Sequence, residues 1–122
     1  MITGTVNAHR EAIIRLSVLD ASGQPYEIDT VVDTGFNGSL TLPPATIAAL
    51  GLVWRNRGSA ILTNGAVEEC DIYTGVVLWD GQPHNILVEA ADTDALVGMS
   101  LMYGYELTVQ AVDGGTVTLS KM

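Results

Sequence analysis

Ala12, Ile14, Leu16 and Val18 alternate with Glu11, Arg15 and Ser17. A period of two suits a strand with one buried face and does not suit a helix. The chain is also punctuated at short intervals by turn formers: Ser22-Gly23-Gln24, Asn64-Gly65, Asp80-Gly81 and Asp113-Gly114-Gly115. Each lies between runs rich in Val, Ile, Leu and Thr. Asn-Gly and Asp-Gly are the strongest of these signals, because both residues accept the positive φ that a tight hairpin needs. Ser22-Gly23-Gln24 leads into a second strand through Tyr26, Ile28 and Val31-Val32, and Asn64-Gly65 separates extended runs at Arg57 to Thr63 and Val67 to Ile72. Asp80-Gly81 joins a run at Thr74 to Trp79 to one at Asn85 to Val88, and the last turn joins Leu107 to Ala111 with Val117 to Leu119. One interruption is helical: Pro43-Pro44 precedes Ala45 to Leu50, and Gly51 closes about two turns. Short strands spaced by glycine turns predict an all-β domain, closed or sandwiched, with one or two short helices, spanning residues 1–122 as a single unit.

With 122 residues and a formal charge of −9, the chain reads as one small acidic domain. Only five Lys and Arg argue against a nucleic-acid partner or an anionic membrane surface. No run approaches the roughly 18 apolar residues of a membrane helix, and Met1 to Asn7 lack the basic and apolar regions of a secretory signal. A hydrophobic share of 48 % is generous for a domain that buries only a modest part of its surface, so some of that surface is expected to be interface. Cys70 has no partner for an internal disulfide and reads as a buried or half-buried thiol in a reducing compartment, which makes the cytoplasm the expected location. His9 and His84 sit among polar residues without a Cys, Asp or Glu set at metal-ligand spacing, so they read as surface histidines, and neither metal nor cofactor is expected. Trp54 and Trp79 read as core or interface aromatics.

The residues with the clearest chemistry are Asp33, Thr34 and Gly35. A β-type run from Ile28 to Val32 delivers the Asp33 carboxyl at its end. Gly35 lets the backbone bend sharply or a partner approach closely. Thr34 offers a hydroxyl that both donates and accepts. Further on, Leu96-Val97-Gly98 repeats the apolar-apolar-glycine pattern, whereas Asp92-Thr93-Asp94 lacks the glycine, which leaves a single Asp-Thr-Gly in the chain.

The order of Asp-Thr-Gly loop, short helix, Asn-Gly hairpin, apolar-apolar-Gly, short helix and final hairpin resembles the retropepsin-like clan of aspartic proteases. More narrowly, it is similar to the small stand-alone bacterial and archaeal members whose loop reads Asp-Thr-Gly-Phe. The match runs from roughly Ile13 to Leu119. The resemblance implies a closed β-barrel acting as a homodimer, and an endopeptidase that takes a peptide or protein substrate. Asp33 is then the catalytic residue, Thr34 cross-links the two active-site loops, and Gly35 approaches the substrate backbone. Thr63-Asn64-Gly65-Ala66 is the flap, with Phe36, Leu62, Thr63, Asn64, Gly65 and Ala66 as substrate contacts, and Leu96-Val97-Gly98 packs behind the loop. Two carboxylates on a two-fold axis cannot both ionise cheaply, so they share a proton: one activates water and the other polarises the scissile carbonyl. Phe36 and Asn37 stand where viral relatives carry a small and then an acidic residue, and Met99 where they often carry arginine. Neither the viral pocket nor the viral dimer ion pair therefore transfers. Ile2 to Val6 and Val117 to Leu119 are β-prone ends suited to interleaving between subunits. Two other classes of function use the same residues: a peptide-binding module that keeps the loop without cleaving, and a partner-assembly domain in which Asp33 caps a turn.

Overall fold

A computed structural model of the chain describes residues 1–61 and 64–122, without the side chains of 60 and 61. In chain order the elements are β1 (Ile2–Val6), β2 (Ala12–Leu19), β3 (Pro25–Val32), β4 (Leu40–Leu42), α1 (Pro44–Leu50), β5 (Val53–Ile61), β6 (Val67–Trp79), β7 (Gln82–Ala90), β8 (Leu96–Val97), α2 (Met99–Met102), β9 (Tyr105–Val109) and β10 (Thr116–Lys121). The mostly-β expectation holds, with two short helices among the described residues. The alternation in β2 does what its period requires: Ile14, Leu16 and Val18 are buried and Arg15 is exposed.

All ten strands join one sheet in the order β5-β6-β7-β4-β8-β3-β2-β1-β10-β9. β3–β8 and β4–β7 pair in parallel. β6 also pairs with β2, at Ser17 opposite Leu78 and Val18 opposite Val77, so the sheet curls back around its apolar face. Trp79 fills the interior of that curl and meets Tyr105 edge-on, with ring centroids 5.7 Å apart. Trp54, by contrast, is exposed on β5 and donates its indole N–H to Asp71 at 3.2 Å. The fully buried Thr30 hydroxyl donates to the Ile14 carbonyl at 2.9 Å, which removes the cost of an unpaired polar group in the core. No described helix is long and apolar enough to cross a membrane.

Local signals survive well. Pro43 precedes α1, and Gly51 closes it in the left-handed conformation (φ 68°), donating to the Ile47 and Ala48 carbonyls. Asp80 and Gly81, at φ 52° and 81°, form a two-residue turn between the paired Trp79 and Gln82.

Three expectations are corrected. The runs at Val67 to Ile72 and Thr74 to Trp79 are one 13-residue strand, because β6 pairs with β5 over its first half and with β7 from Ile72 onward. In the β5–β6 ladder Ile61 lies opposite Val67, one step away from the register that a two-residue Asn64-Gly65 turn imposes. The Asn64 side chain accepts from the Ala66 N–H at 2.9 Å and Gly65 takes φ 83°, an Asx-type turn. Finally, the two terminal strands pair with each other, Ile2 to Leu119 through Thr5 to Thr116, and β1 is bonded to β2 on its other side. Both edges of β1 are occupied within one chain, so interleaving has no open edge there. The strands at the ends of the sheet are β5 and β9.

Candidate active site

Asp33 follows β3 directly and stays in the ladder, its N–H donating to the Val97 carbonyl of β8 at 2.9 Å. The Asp33 side chain then turns back on its own loop, where Oδ1 accepts from the Gly35 N–H at 2.9 Å. The Phe36 N–H donates to the Asp33 carbonyl at 3.2 Å and closes the bend. This geometry orients one carboxylate oxygen toward the backbone and leaves the other without a described donor. Asp33 is half-buried, while Thr34 and Gly35 are exposed.

The loop is laced to the β8–α2 junction by its own carbonyls. Phe36 O accepts from Met99 N at 2.8 Å, Gly38 O from Ser100 N at 3.1 Å and Ser39 O from Gly98 N at 3.1 Å, and the Ser100 hydroxyl donates to Asn37 O. The approach is close enough that a methyl group on Gly98 would collide with the Gly38 carbonyl and sit 2.5 Å from Cδ2 of Phe36. Leu96-Val97-Gly98 thus packs behind the loop, as the family resemblance implied, because a residue without Cβ is required at the contact. Behind that layer the Thr41 hydroxyl of β4 accepts from the Leu96 N–H at 3.0 Å. Thr41 and Ser100 escape a sequence reading, since their partners lie 55 and 63 residues away.

Asp33 borders a cavity of about 740 Å³ whose lining includes Val31, Leu96, Asn7, Arg10, Val109 and Val112. Val109 and Val112, exposed at 39 % and 65 %, contribute apolar surface to it. Phe36 is half-buried with its ring against Gly38 and Gly98. Asn64, Gly65 and Ala66 are exposed at the β5–β6 tip, and Leu62 and Thr63 lie outside the described residues.

A retropepsin-like aspartic protease from Rickettsia conorii is similar to this chain in fold, with a TM-score of 0.62 and 19 % identity, over 98 % of this chain and 89 % of that one. The fold is retropepsin-like. No family model matches the chain, and no curated protein sequence does. Within the retropepsin-like fold the single Asp-Thr-Gly loop sits at the C-terminal end of β3, between β2 and β8 in the sheet.

One carboxyl near the loop is electrostatically unusual. Burial alone raises Glu89, on β7, above the ordinary glutamate range. An acid raised in the folded state favours folding below its unfolded value, and that contribution is lost as pH climbs through the folded value. Glu89→Gln should therefore melt with the parent near about pH 3 and above it near about pH 7. Melting below the parent at neutral pH would reveal a partner that stabilises the ionised form. The same burial, followed by the Glu89 charge, pushes the Cys70 thiol up, so Cys70 stays protonated and a poor nucleophile at neutral pH.

Proposed function

We propose that two copies of this chain form an aspartic endopeptidase in which each subunit contributes a barrel and one Asp33. The observation that carries this reading is the Asp33 loop itself. A carboxylate is held at a strand end by the Gly35 N–H, braced from behind through Gly98, and half exposed beside a large cavity. A retropepsin-like fold with one such loop supplies one carboxylate where the chemistry needs two, and the second comes from a symmetry mate. Thr34, exposed and without a described partner for its hydroxyl, is the residue suited to bond across the two-fold axis. The apolar Val109 and Val112 beside Asp33 are suited to being covered in the same contact.

In the dimer the paired carboxylates share a proton. The ionised one draws a proton from water as the water attacks the scissile carbonyl, and the other hydrogen-bonds the developing oxyanion, then helps protonate the departing nitrogen. The exposed Asn64-Gly65-Ala66 tip is placed on a long two-stranded arm that can lie along an extended peptide and pair with its backbone. Phe36 is the substrate contact closest to Asp33 in the chain.

Two measurements test the reading together. Peptide hydrolysis at mildly acidic pH should be abolished by a statine-type transition-state mimic, and sedimentation at micromolar concentration should show a species of twice 12.9 kDa. A fully active monomer, or hydrolysis indifferent to the inhibitor, overturns it.

A further inference from the structure

In register, residues paired across neighbouring strands share one face of a sheet. Val31, Leu96, Thr41, Glu89 and Ile72 form such a row across β3, β8, β4, β7 and β6. The adjacent row, Val32, Val97, Leu40, Val88 and Tyr73, turns inward, and its three middle members are fully buried. In the first row Thr41 is also buried, whereas Val31, Leu96, Glu89 and Ile72 are half-buried, and Asp33, two residues beyond Val31, continues the alternation of that row. Three strand spacings of about 4.8 Å put Glu89 roughly 14 Å to the side of β3, the reach of about four residues of extended peptide.

Glu89 is not isolated on that face. A methyl group on Gly38 would meet Glu89 Oε2 at 2.7 Å and the Phe36 ring at 2.5 Å from Cζ and 2.7 Å from Cε1. The carboxyl and the edge of the aromatic ring therefore both crowd the position of a Gly38 side chain and stand side by side there, with Ile72 paired beside Glu89 on β6. The neighbouring cation, Arg57, is directed to Glu69, 3.6 Å away, and both are exposed. Among the described residues no ion pair or side-chain hydrogen bond reaches the Glu89 carboxyl, which is half-buried. A desolvated carboxylate without a counter-ion is costly and gains most from a cation that brings its own apolar stem. An aromatic ring at its side favours the same guest.

We propose that Glu89 and Phe36 form a subsite for a lysine or arginine side chain of the peptide, three to four residues from the scissile bond. This rests on the endopeptidase reading of Asp33 and adds a substrate class to it. Glu89 acts in selection and takes no part in the bond-breaking step.

A mixed peptide library digested by the wild-type protein and analysed by mass spectrometry should show Lys and Arg enriched at one position about three to four residues from the cut. For a matched pair of peptides, the ratio of kcat/KM for Lys over norleucine there should fall about tenfold in Glu89→Gln. Glu89→Lys should favour Asp or Glu at that position, which guards against a neutral variant that merely loosens the fold. A wild-type protein that cuts without cationic preference, or a ratio unchanged in Glu89→Gln, overturns the subsite. If the wild type cuts nothing, the endopeptidase reading fails while the subsite is still decided by equilibrium binding of the same two peptides. A Lys preference lost in Glu89→Gln supports it. Equal binding, or none, overturns it.

Discussion

Asp33→Asn is expected to lower peptide hydrolysis by roughly 10⁴-fold or more, with the circular dichroism and the sedimentation of the parent retained. The amide keeps the shape of the carboxyl, and its oxygen can still accept from the Gly35 N–H, so the 2.9 Å bond that orders the loop survives. What disappears is the capacity to take a proton from water, and a dyad that works as a unit loses its whole contribution when either member fails. The same logic predicts a dominant effect. When the Asn variant is mixed in excess with the wild type and allowed to exchange, wild-type chains should lose activity in proportion to the excess, because most then pair with an inactive mate. Activity that tracks the wild-type concentration alone would place the entire catalyst within one chain and contradict the two-subunit site.

Gly98→Ala should be among the most damaging single methyls at the active-site loop, lowering stability by about 3 kcal/mol through overpacking. For a domain of this size that corresponds to a drop in melting temperature of roughly 10 °C or more. The cause is steric: Gly98 has an extended φ of −109°, which any residue can adopt, but its Cβ position is already occupied by the Gly38 carbonyl and the Phe36 ring. Those atoms belong to the loop that four carbonyls tie to the β8–α2 junction, so relief can come only by pushing that loop away. Hydrolysis should fall with stability even below the melting temperature, since a displaced Asp33 no longer meets its mate. Thermal denaturation followed by circular dichroism measures the first effect, and a melting temperature within about 2 °C of the parent would show that the loop yields freely. Gly114→Ala is a useful contrast: a methyl there meets nothing within 4 Å, so it tests only the positive φ of 77°.

Much of the local structure was legible in the residues. The alternation in β2 decides its buried face, because side chains two apart must share a side of a strand. The proline and glycine that bracket α1 act through their own backbone preferences, as do Asp80 and Gly81 in their turn. The bend at Asp33 needs only Gly35 and the Asp33 side chain two residues away, so it too is written in adjacent letters.

Pairing partners were not legible in this way. Periodicity assigns a residue to a face but says nothing about which strand lies beside it. That is why two apolar runs merge into β6, why the Asn64 hairpin takes an unexpected register, and why the two terminal strands lie side by side in one chain. Glu89 illustrates the division. Its sequence neighbours mark it as an outward-facing residue on a strand, which usually means a solvated carboxylate. Only the pairing of β7 with β4, of β4 with β8 and of β8 with β3 brings it into the row of Leu96 and Val31 and beside Phe36, where burial makes its charge costly. The sequence alone determined the strand faces, the short helix and the carboxylate loop, because these depend on contacts a few residues apart. The tertiary structure decided what stands behind that loop and what lies beside it, because those contacts join segments that meet only when the sheet curls.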